Sequence, residues 1–430
     1  MAQKPTSVTI FSYNVGFGDC FLVRFAYGTK QRHILIDFGT TALPKNAPKD
    51  QLTRIARDIE RRCEGKLQAV IATHRHADHI SGFATNAAGN APGDIILGLN
   101  VDVVVQPWTE QLDLDIDALG PAVGSAKGLA GFHRSLNTQH LFARSVVRML
   151  DEGGLKWMAP AARDRLRFLG EDNIKNVSAV KNLAAMGRKN VYAFHGSDSG
   201  LTRVLPGVRT HVLGPPTLKQ TDTIRRQKAR DEDEFWHLAL KNLGADEEFD
   251  ERQEELFPGA PVWPRGQHPH SIRWFANKLK QARSDQLLSI VTALDKQMNN
   301  TSLILLFEVG GKKLLFPGDA QIENWRYALQ QERVLKMLAD VDVYKVGHHG
   351  SLNATPKTLW NRFEKKGGKS RPGRLTSLLS TMTGKHGSEE KRTEVPRRTL
   401  LKELRDHSHL HSTQQIGPSK LCSEVTISLV

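Results

Sequence analysis

The chain has 430 residues, of which 60 are Lys or Arg and 46 are Asp or Glu, which gives a formal net charge of +14. Hydrophobic residues make up 39% of the sequence, enough for a large core, but no apolar run reaches the roughly 18 residues that a transmembrane helix needs. This composition excludes a membrane-spanning channel and predicts a folded protein whose basic surface attracts polyanions.

The N-terminal residues and the cysteines predict the compartment. Residues 1–8 are polar and lack the apolar core of a secretion signal. The cysteines, Cys20, Cys63 and Cys422, are scattered and form no Cys-x-x-Cys pair, as is typical of a reducing compartment. We therefore expect a cytoplasmic protein without membrane insertion.

An apolar run at residues 67–73 predicts a buried strand, and a cluster of polar side chains follows it directly. His74 and His76 are two positions apart, so both rings can turn toward one cation, while Asp78 and His79 can reach a second one. Imidazoles and carboxylates suit zinc, iron or manganese, and the lack of nearby cysteine argues against a closed structural zinc site. The alternative, a histidine-rich surface loop, is disfavoured by partner motifs downstream.

Two long segments are predicted to be insertions into one domain that spans residues 1–430. The chain is longer than the roughly 200–250 residues usual for a single domain, so it needs either insertions or a second domain. Residues 110–191 have the spaced Leu, Ala, Val and Met positions of amphipathic helices. Residues 217–298 are strongly charged, as solvated helix faces and loops are. We favour insertions over a second domain.

A second apolar run, at residues 314–316, is followed by Pro-Gly-Asp. A carboxylate at a strand end can bind one cation through each oxygen and so hold two cations roughly 3.5–4 Å apart, as in two-metal hydrolases. Asp319 is therefore the predicted bridge. The alternative is that Asp319 only caps the helix that is predicted to begin near Gln321.

A third predicted strand, at residues 341–346, delivers two more imidazoles. His348 comes first after the strand and is the predicted ligand, whereas His349 is expected to support a ligand or to contact substrate. Ser351 and Lys385 are further candidate substrate contacts. The alternative is an exposed histidine pair with no role.

Basic residues also cluster after the third motif. Five lie between residues 365 and 374 in a Gly-rich loop, and four lie between residues 391 and 398. We expect both clusters near the mouth of the site, where they suit a phosphate backbone. The alternative is that these residues only keep the protein soluble.

These motifs resemble the metallo-β-lactamase-fold hydrolases, whose His-x-His-x-Asp-His signature is met at residues 74–79. The closer resemblance is to the hydrolase domain of ComEC-type DNA-uptake proteins, without their membrane channel. Residues 11–23 and 33–39 look like its opening strands. Residues 300–305, the Pro-Gly-Asp strand end, the His-His-Gly-Ser loop and the tail from residue 380 follow in the same order. The resemblance therefore spans both ends of the chain.

The resemblance implies an α/β protein with a four-layer αββα sandwich, in which two mixed sheets lie back to back with metals at their edge. It also implies two divalent metal ions, zinc or manganese. The predicted metal ligands are His74, His76, Asp78, His79, Asp319 and His348. Many enzymes of this fold have one more histidine ligand before the bridging Asp, and His133, His195 and His211 are candidates for it by position only.

The predicted reaction is metal-assisted hydrolysis of a phosphodiester by a hydroxide held between the two metals. Asp78, Asp319 and His386 are the predicted catalytic residues. His386 is a candidate for contacting phosphate or protonating the leaving oxygen, with a purely structural role as the alternative. Asp19 and Asp37 belong to tight Gly-containing connections and are expected to serve turns or to support ligands.

Three functions remain open from the sequence. The favoured one is a phosphodiesterase or nuclease acting on a nucleic acid or nucleotide. The second is a hydrolase of a small amide, lactone, thioester or phosphoester, because one metal site serves all these chemistries. The third is a non-catalytic, metal-stabilised module that binds a protein partner in a multi-component system, which the near-complete ligand set disfavours.

Overall fold

The computed structural model describes residues 4–111, 120–121, 177–221, 299–353, 355–390, 393–417 and 420–429. Most of the two predicted insertions lies outside these residues, and so do His133, Lys391 and Arg392. The predictions about them therefore stay predictions. Among the described helices, none is long and apolar enough to cross a membrane.

The described residues form strands and helices in mixed order. The strands are β1 (Ser7–Tyr13), β2 (Cys20–Tyr27), β3 (Lys30–Phe38), β4 (Lys66–Ile71), β5 (Asn100–Pro107), β6 (Gly187–Ala193), β7 (Val208–Gly214), β8 (Ile304–Val309), β9 (Lys312–Phe316), β10 (Val343–Lys345), β11 (Thr376–Leu379), β12 (His409–Ser412) and β13 (Cys422–Ser428). The helices are α1 (Gln51–Cys63), α2 (Ala77–Ile80), α3 (Pro92–Leu97), α4 (Val177–Ala185), α5 (Ile322–Leu329), α6 (Glu332–Ala339), α7 (Lys357–Trp360) and α8 (Arg398–His407).

Within the described residues the strands form two sheets. The first has the order β13-β1-β2-β3-β4-β5-β6, and the second has the order β12-β11-β10-β9-β8-β7. Strands β3 to β6 are parallel to one another, and so are β9 to β12. Parallel strands bring their carboxyl ends to one edge of a sheet, where ligands bind in many α/β proteins.

The two sheets pack face to face between two layers of helices. Phe21 of the first sheet meets Phe316 of the second with ring centroids 5.9 Å apart, in a core built from both sheets. The other face of the first sheet buries apolar side chains of α1, α3 and α4, and that of the second buries those of α5 to α8. Burying one such large side chain stabilises the fold by roughly 1.5–3 kcal/mol. The predicted four-layer αββα sandwich is confirmed.

Helix α1 illustrates how the sequence places a helix on the first sheet. Ile55, Ile59 and Cys63 recur every four residues and are all buried, so they form one apolar stripe. The helix ends where Glu64 takes a left-handed conformation, with φ of 52°, and Gly65 follows it. This ending returns the chain directly to β4.

The Gly-rich basic loop lies at the end of the second sheet that is remote from the predicted metal motifs. Lys365 Nζ donates hydrogen bonds to the carbonyl of Asp340 (2.7 Å) and to the carboxylate of Asp342 (2.8 Å). Both acceptors precede β10, whereas His348 follows it. The expectation that this loop lies near the site is wrong. Strands β10 and β11 are parallel, so the loop that leads into β11 lies at the amino ends of the strands, whereas His348 lies at their carboxyl ends.

His33 gives an expected pH dependence of stability that is independent of any metal. Burial, reinforced by Arg24 and Arg62, lowers the pKa of His33 from 6.5 to about 4. The unfolded chain then binds a proton before the folded chain does, so stability is present above pH 6.5 and is lost as the pH falls toward 4. At pH 5 this loss amounts to about 2 kcal/mol.

The check is urea unfolding of the wild type and His33→Gln at pH 8 and pH 5. The free energy of unfolding of His33→Gln should fall by about 2 kcal/mol less than that of the wild type between these values. Equal losses of unfolding free energy in the two proteins would contradict the lowered pKa of His33.

Candidate metal centre

Three loops converge at the edge where the two sheets meet. The loop after β4 carries residues 74–79, the loop after β9 carries Asp319, and the loop after β10 carries residues 348 and 349. The amide of Leu303, just before β8, donates a hydrogen bond to the carbonyl of Thr73 (2.9 Å) and so ties the first loop to the second sheet. Side chains that are far apart in sequence therefore meet here.

Four buried side chains, Asp78, His79, Asp319 and His349, form what we call the four-residue group. Nε2 of His79 lies 3.1 Å from Oδ2 of Asp319, and Nε2 of His349 lies 3.0 Å from Oδ2 of Asp78 and 3.6 Å from Oδ2 of Asp319. One donor atom from each residue lies within 4.8 Å of the others. Donors around a single cation need this kind of spacing.

A second set, the three-residue group, consists of His74, His76 and Asp78. Nε2 of His74 lies 3.0 Å from Nδ1 of His76, and the ring centroids are 4.7 Å apart. Donor atoms of the three residues again lie within 4.8 Å of one another. Asp78 belongs to both groups, so the two groups adjoin.

The structure places His349 rather than His348 in the four-residue group. Both residues have left-handed backbone angles, with φ of 39° and 52°, and this turn buries the second imidazole completely. Nδ1 of His349 lies 3.1 Å from the carbonyl of Ser380, so Nε2 is the ring nitrogen that is directed at the carboxylates. The side chain of His348 is 28% exposed, and its Nε2 lies 3.9 Å from Oδ2 of Asp319.

The imidazoles and carboxylates of the four-residue group stabilise one another's charged forms. Burial opposes protonation of His79, but the carboxylates of Asp319, Asp37 and Asp78 outweigh it and hold the pKa of His79 well above its usual value. Burial likewise opposes ionisation of Asp319, yet the neighbouring imidazoles, led by His79, hold its pKa well below the usual range. The positive charge that these carboxylates favour on His79 is one that a divalent cation would replace.

The chemistry of the donors fits a divalent cation. In the three-residue group, burial and the neighbouring imidazoles of His79 and His76 lower the pKa of His74 well below its usual value, so this ring is neutral, as a metal ligand must be. In the four-residue group, Nε2 of His79 and Oδ1 of Asp78 are buried without a hydrogen-bond partner of suitable geometry among the described residues. Such atoms are costly unless an ion or water satisfies them.

Asp37 holds the metal motif in place. Its carboxylate accepts hydrogen bonds from the amide (2.7 Å) and the hydroxyl (2.8 Å) of Thr73 and lies 2.8 Å from Nδ1 of His79. This contact fixes the orientation of the His79 ring with Nε2 toward Asp319. The φ of 54° at Asp37 is a strained value for a non-glycine residue, of the kind found where side-chain placement matters.

Two buried charged residues, Asp19 and Lys345, lie beside the four-residue group. Asp19 was expected to serve a turn or to support ligands, whereas Lys345 was not predicted to be near the site. Asp19 lies with Oδ1 3.5 Å from Nδ1 of His349 and Oδ2 3.7 Å from Nδ1 of His79. Lys345 forms an ion pair with Asp19 and is 2% exposed. The available signal for Lys345 was a charged residue between Tyr344 and Val346 in a predicted buried strand.

The remaining predicted site residues lie beside the groups or away from them. The His386 ring lies 4.2 Å from the Phe17 ring, which also lies 4.5 Å from the His349 ring. Burial lowers the pKa of His386 to about 4, so its ring is neutral at pH 7. The Ser351 hydroxyl donates to the Asn353 side chain (3.1 Å), and Lys385 is exposed.

The two described candidates for an additional histidine ligand have other contacts. Nδ1 of His195 lies 2.8 Å from the carbonyl of Leu213, and Nε2 of His211 lies 3.3 Å from the carboxylate of Glu308. Neither histidine is part of a candidate metal group that the described residues form.

Comparison with known proteins supports the metal centre at the level of a superfamily. The model of the metallo-beta-lactamase superfamily matches residues 13–85, a range that runs from the end of β1 through the metal motif. It contains Asp37 and His74 to His79 but neither Asp319 nor His349. No curated protein matches the sequence. Proteins of this superfamily are mostly hydrolases, and the fold implies divalent-metal binding.

Gly39 lets the metal motif pack closely against the end of β3. A Cβ atom at this position would lie 2.4 Å from the carbonyl oxygen of Ala77 and 2.6 Å from the carbonyl carbon of Asp78. We expect Gly39→Ala to displace α2, to destabilise the protein by about 1–3 kcal/mol and to weaken Mn²⁺ binding by at least about tenfold.

The matched control is Gly98→Ala, because a Cβ atom there would come no closer than 3.4 Å to a neighbour and φ is already −69°. Urea unfolding and calorimetric Mn²⁺ titration of both variants provide the measurement. Equal behaviour of the two variants would show that the close approach at Gly39 does not matter.

Proposed function

We propose that the protein is a metal-dependent hydrolase whose preferred substrate is a phosphodiester in a nucleic acid or nucleotide. The observation that carries the proposal is the pair of adjoining donor groups that share Asp78 and consist only of imidazoles and carboxylates. The groups lie where loops from both sheets meet. The donor side chains are therefore on loops, and the strands hold these loops in place.

The donor groups divide the proposed metal ligands between two cations. His74 and His76 would hold one cation and His79, Asp319 and His349 the other, with Asp78 common to both groups. Bound zinc or manganese would supply Lewis-acid polarisation of the phosphoryl oxygen and would acidify a water molecule.

The other residues around the groups orient the ligand imidazoles or contact the substrate. Asp37 holds the His79 ring, and the Ser380 carbonyl holds the His349 ring, so both Nε2 atoms are directed inward. His386, neutral at pH 7 because burial lowers its pKa to about 4, is suited to hydrogen bonding a substrate oxygen. This favours substrate contact over proton donation as the role of His386.

The choice of a phosphodiester rests on charge and on likeness. The net charge of +14 attracts polyanions, and exposed Lys385 adjoins His386 on the loop beside the site. The Gly-rich basic loop does not contribute, since it lies at the opposite end of the sheet. The order of motifs, similar to that of the hydrolase domain of ComEC-type proteins, favours a nucleic-acid substrate.

Free Cys20, Cys63 and Cys422 support a cytoplasmic location.

The test is hydrolysis of labelled single-stranded DNA, double-stranded DNA and RNA, with bis-p-nitrophenyl phosphate alongside, by protein loaded with zinc or manganese. We expect metal-dependent cleavage of at least one polymer. Turnover of the small diester alone would restrict the substrate to a nucleotide or another small phosphodiester. Hydrolysis of an amide, lactone or thioester panel without any phosphodiester activity would overturn the proposed substrate class.

A further inference from the structure

Lys345 is a buried lysine in direct contact with the candidate metal centre. It is the last residue of β10 and is 2% exposed. Its Nζ atom forms an ion pair with Asp19, donates a hydrogen bond to the carbonyl of Gly318 (3.1 Å) and lies 3.5 Å from Oδ1 of Asp319. A buried ammonium group needs such partners, because desolvation of an isolated charge is costly.

The two oxygens of Asp319 have different surroundings. Oδ1 lies 3.5 Å from the Lys345 ammonium and accepts a hydrogen bond from the amide of His348 (3.0 Å). Oδ2 faces the imidazoles, at 3.1 Å from Nε2 of His79 and 3.6 Å from Nε2 of His349. A carboxylate is planar, so holding one oxygen fixes the direction of the other.

We propose that Lys345, neutralised by Asp19, is a positioning residue that turns Asp319 so that only Oδ2 serves as a metal ligand. The proposal rests on the proposed metal-dependent function. It replaces the arrangement inferred from the sequence, in which each Asp319 oxygen binds a different cation. Asp319 then contributes a single ligand atom, Oδ2, which faces the imidazoles of His79 and His349.

Asp19 is needed because an ammonium group this close to the donors would otherwise repel a cation. Both charges are buried, and the contact between them offsets the cost of removing each from water. Removing Asp19 alone leaves an uncompensated positive charge beside Asp319. Removing both partners leaves the net charge of the region unchanged but frees Oδ1 of Asp319 from the ammonium group.

The single and double variants therefore differ in the local charge beside Asp319, and their metal affinities can be compared. We compare Asp19→Asn, the double variant Asp19→Asn/Lys345→Met and the wild type by calorimetric Mn²⁺ titration, by the absorption spectrum of Co²⁺-loaded protein and by urea unfolding. The double variant should bind Mn²⁺ about tenfold to hundredfold more weakly than the wild type, with a changed Co²⁺ spectrum and a nearly unchanged urea midpoint. Asp19→Asn alone should bind Mn²⁺ still more weakly.

The control removes a matched ion pair from the other end of β10. Lys365 Nζ lies 2.8 Å from Oδ1 of Asp342, so Lys365→Met/Asp342→Asn makes the same two changes away from the donor groups and should keep wild-type Mn²⁺ binding. If the Asp19/Lys345 double variant binds Mn²⁺ and Co²⁺ as the wild type does, the pair is only structural and the proposal is overturned.

A crystal structure of the Mn²⁺-loaded wild type tests the same proposal without substitution, in case the double variant does not fold. Oδ2 of Asp319 should contact metal while Oδ1 stays with Lys345. Metal on both oxygens with Lys345 displaced would overturn the positioning role and leave the proposed function intact. A wild type that binds no divalent metal would instead refute the proposed function, and the positioning role with it.

Discussion

The Asp319→Asn protein is expected to fold like the wild type and to lose hydrolytic activity by about 10³-fold or more. Asp319 is 1% exposed and has Oδ2 within 3.1 Å of Nε2 of His79 and 3.6 Å of Nε2 of His349. The amide side chain of Asn keeps the shape of the carboxylate. It lacks the negative charge with which the carboxylate would neutralise a bound cation. Several kcal/mol of metal-assisted stabilisation correspond to this loss, since about 1.4 kcal/mol equals a factor of ten in rate.

The measurement is the turnover rate on the best substrate found, together with the metal content after dialysis. Asp340→Asn is the matched control, because Asp340 is exposed and pairs with Lys313 at the remote end of β10. Full activity of Asp319→Asn would eliminate this residue from the metal centre. Loss of activity in Asp340→Asn as well would show that the effect is not specific to the site.

His349→Gln is expected to weaken Mn²⁺ binding about hundredfold, whereas His348→Gln should weaken it less than about tenfold. His349 is completely buried with Nε2 directed at two carboxylates, while the His348 side chain is partly exposed at the margin of the group. The His348 amide, which holds Oδ1 of Asp319, is retained in both variants.

The two adjacent variants serve as controls for each other, since they make the same chemical change in one turn. Calorimetric titration gives the affinities, and the substrate assay gives the corresponding rates. A larger effect of His348→Gln would reverse the roles that the geometry gives to the pair.

The fold was predictable where strands are buried on both faces. The apolar runs at residues 67–73 and 314–316 cover most of β4 and the buried end of β9, because a strand between a helix layer and a second sheet is buried on both faces. Residues 341–346 contain β10, although Asp342 and Lys345 interrupt the apolar pattern there. Strand β6 was not predicted, and its first five residues lie within the range 110–191 that was assigned to a helical insertion. Its residues, Gly187–Ala193, are mostly half-buried or exposed, and pairing with β5 rather than an apolar pattern defines the strand.

The site was predictable as a set of loops but not in its internal arrangement. Residues 74–79 and Asp319 were predicted as site residues because they are polar and follow apolar runs at strand ends. The choice between His348 and His349 depends on two left-handed backbone angles that the side chains do not encode. The contact of Lys345 with Asp19 depends on tertiary packing between the two sheets, which no local pattern reveals.

The contact between His349 and Asp78 joins residues that are 271 positions apart in the chain. A ligand that binds only this assembled arrangement acts as a cross-link over a very long loop, and it stabilises the native state in proportion to the logarithm of its concentration over its dissociation constant. Contacts of such long range form late in folding, after the entropy of closing the loop has been overcome. A newly synthesised chain therefore acquires its metal centre only when its last third has folded onto its first.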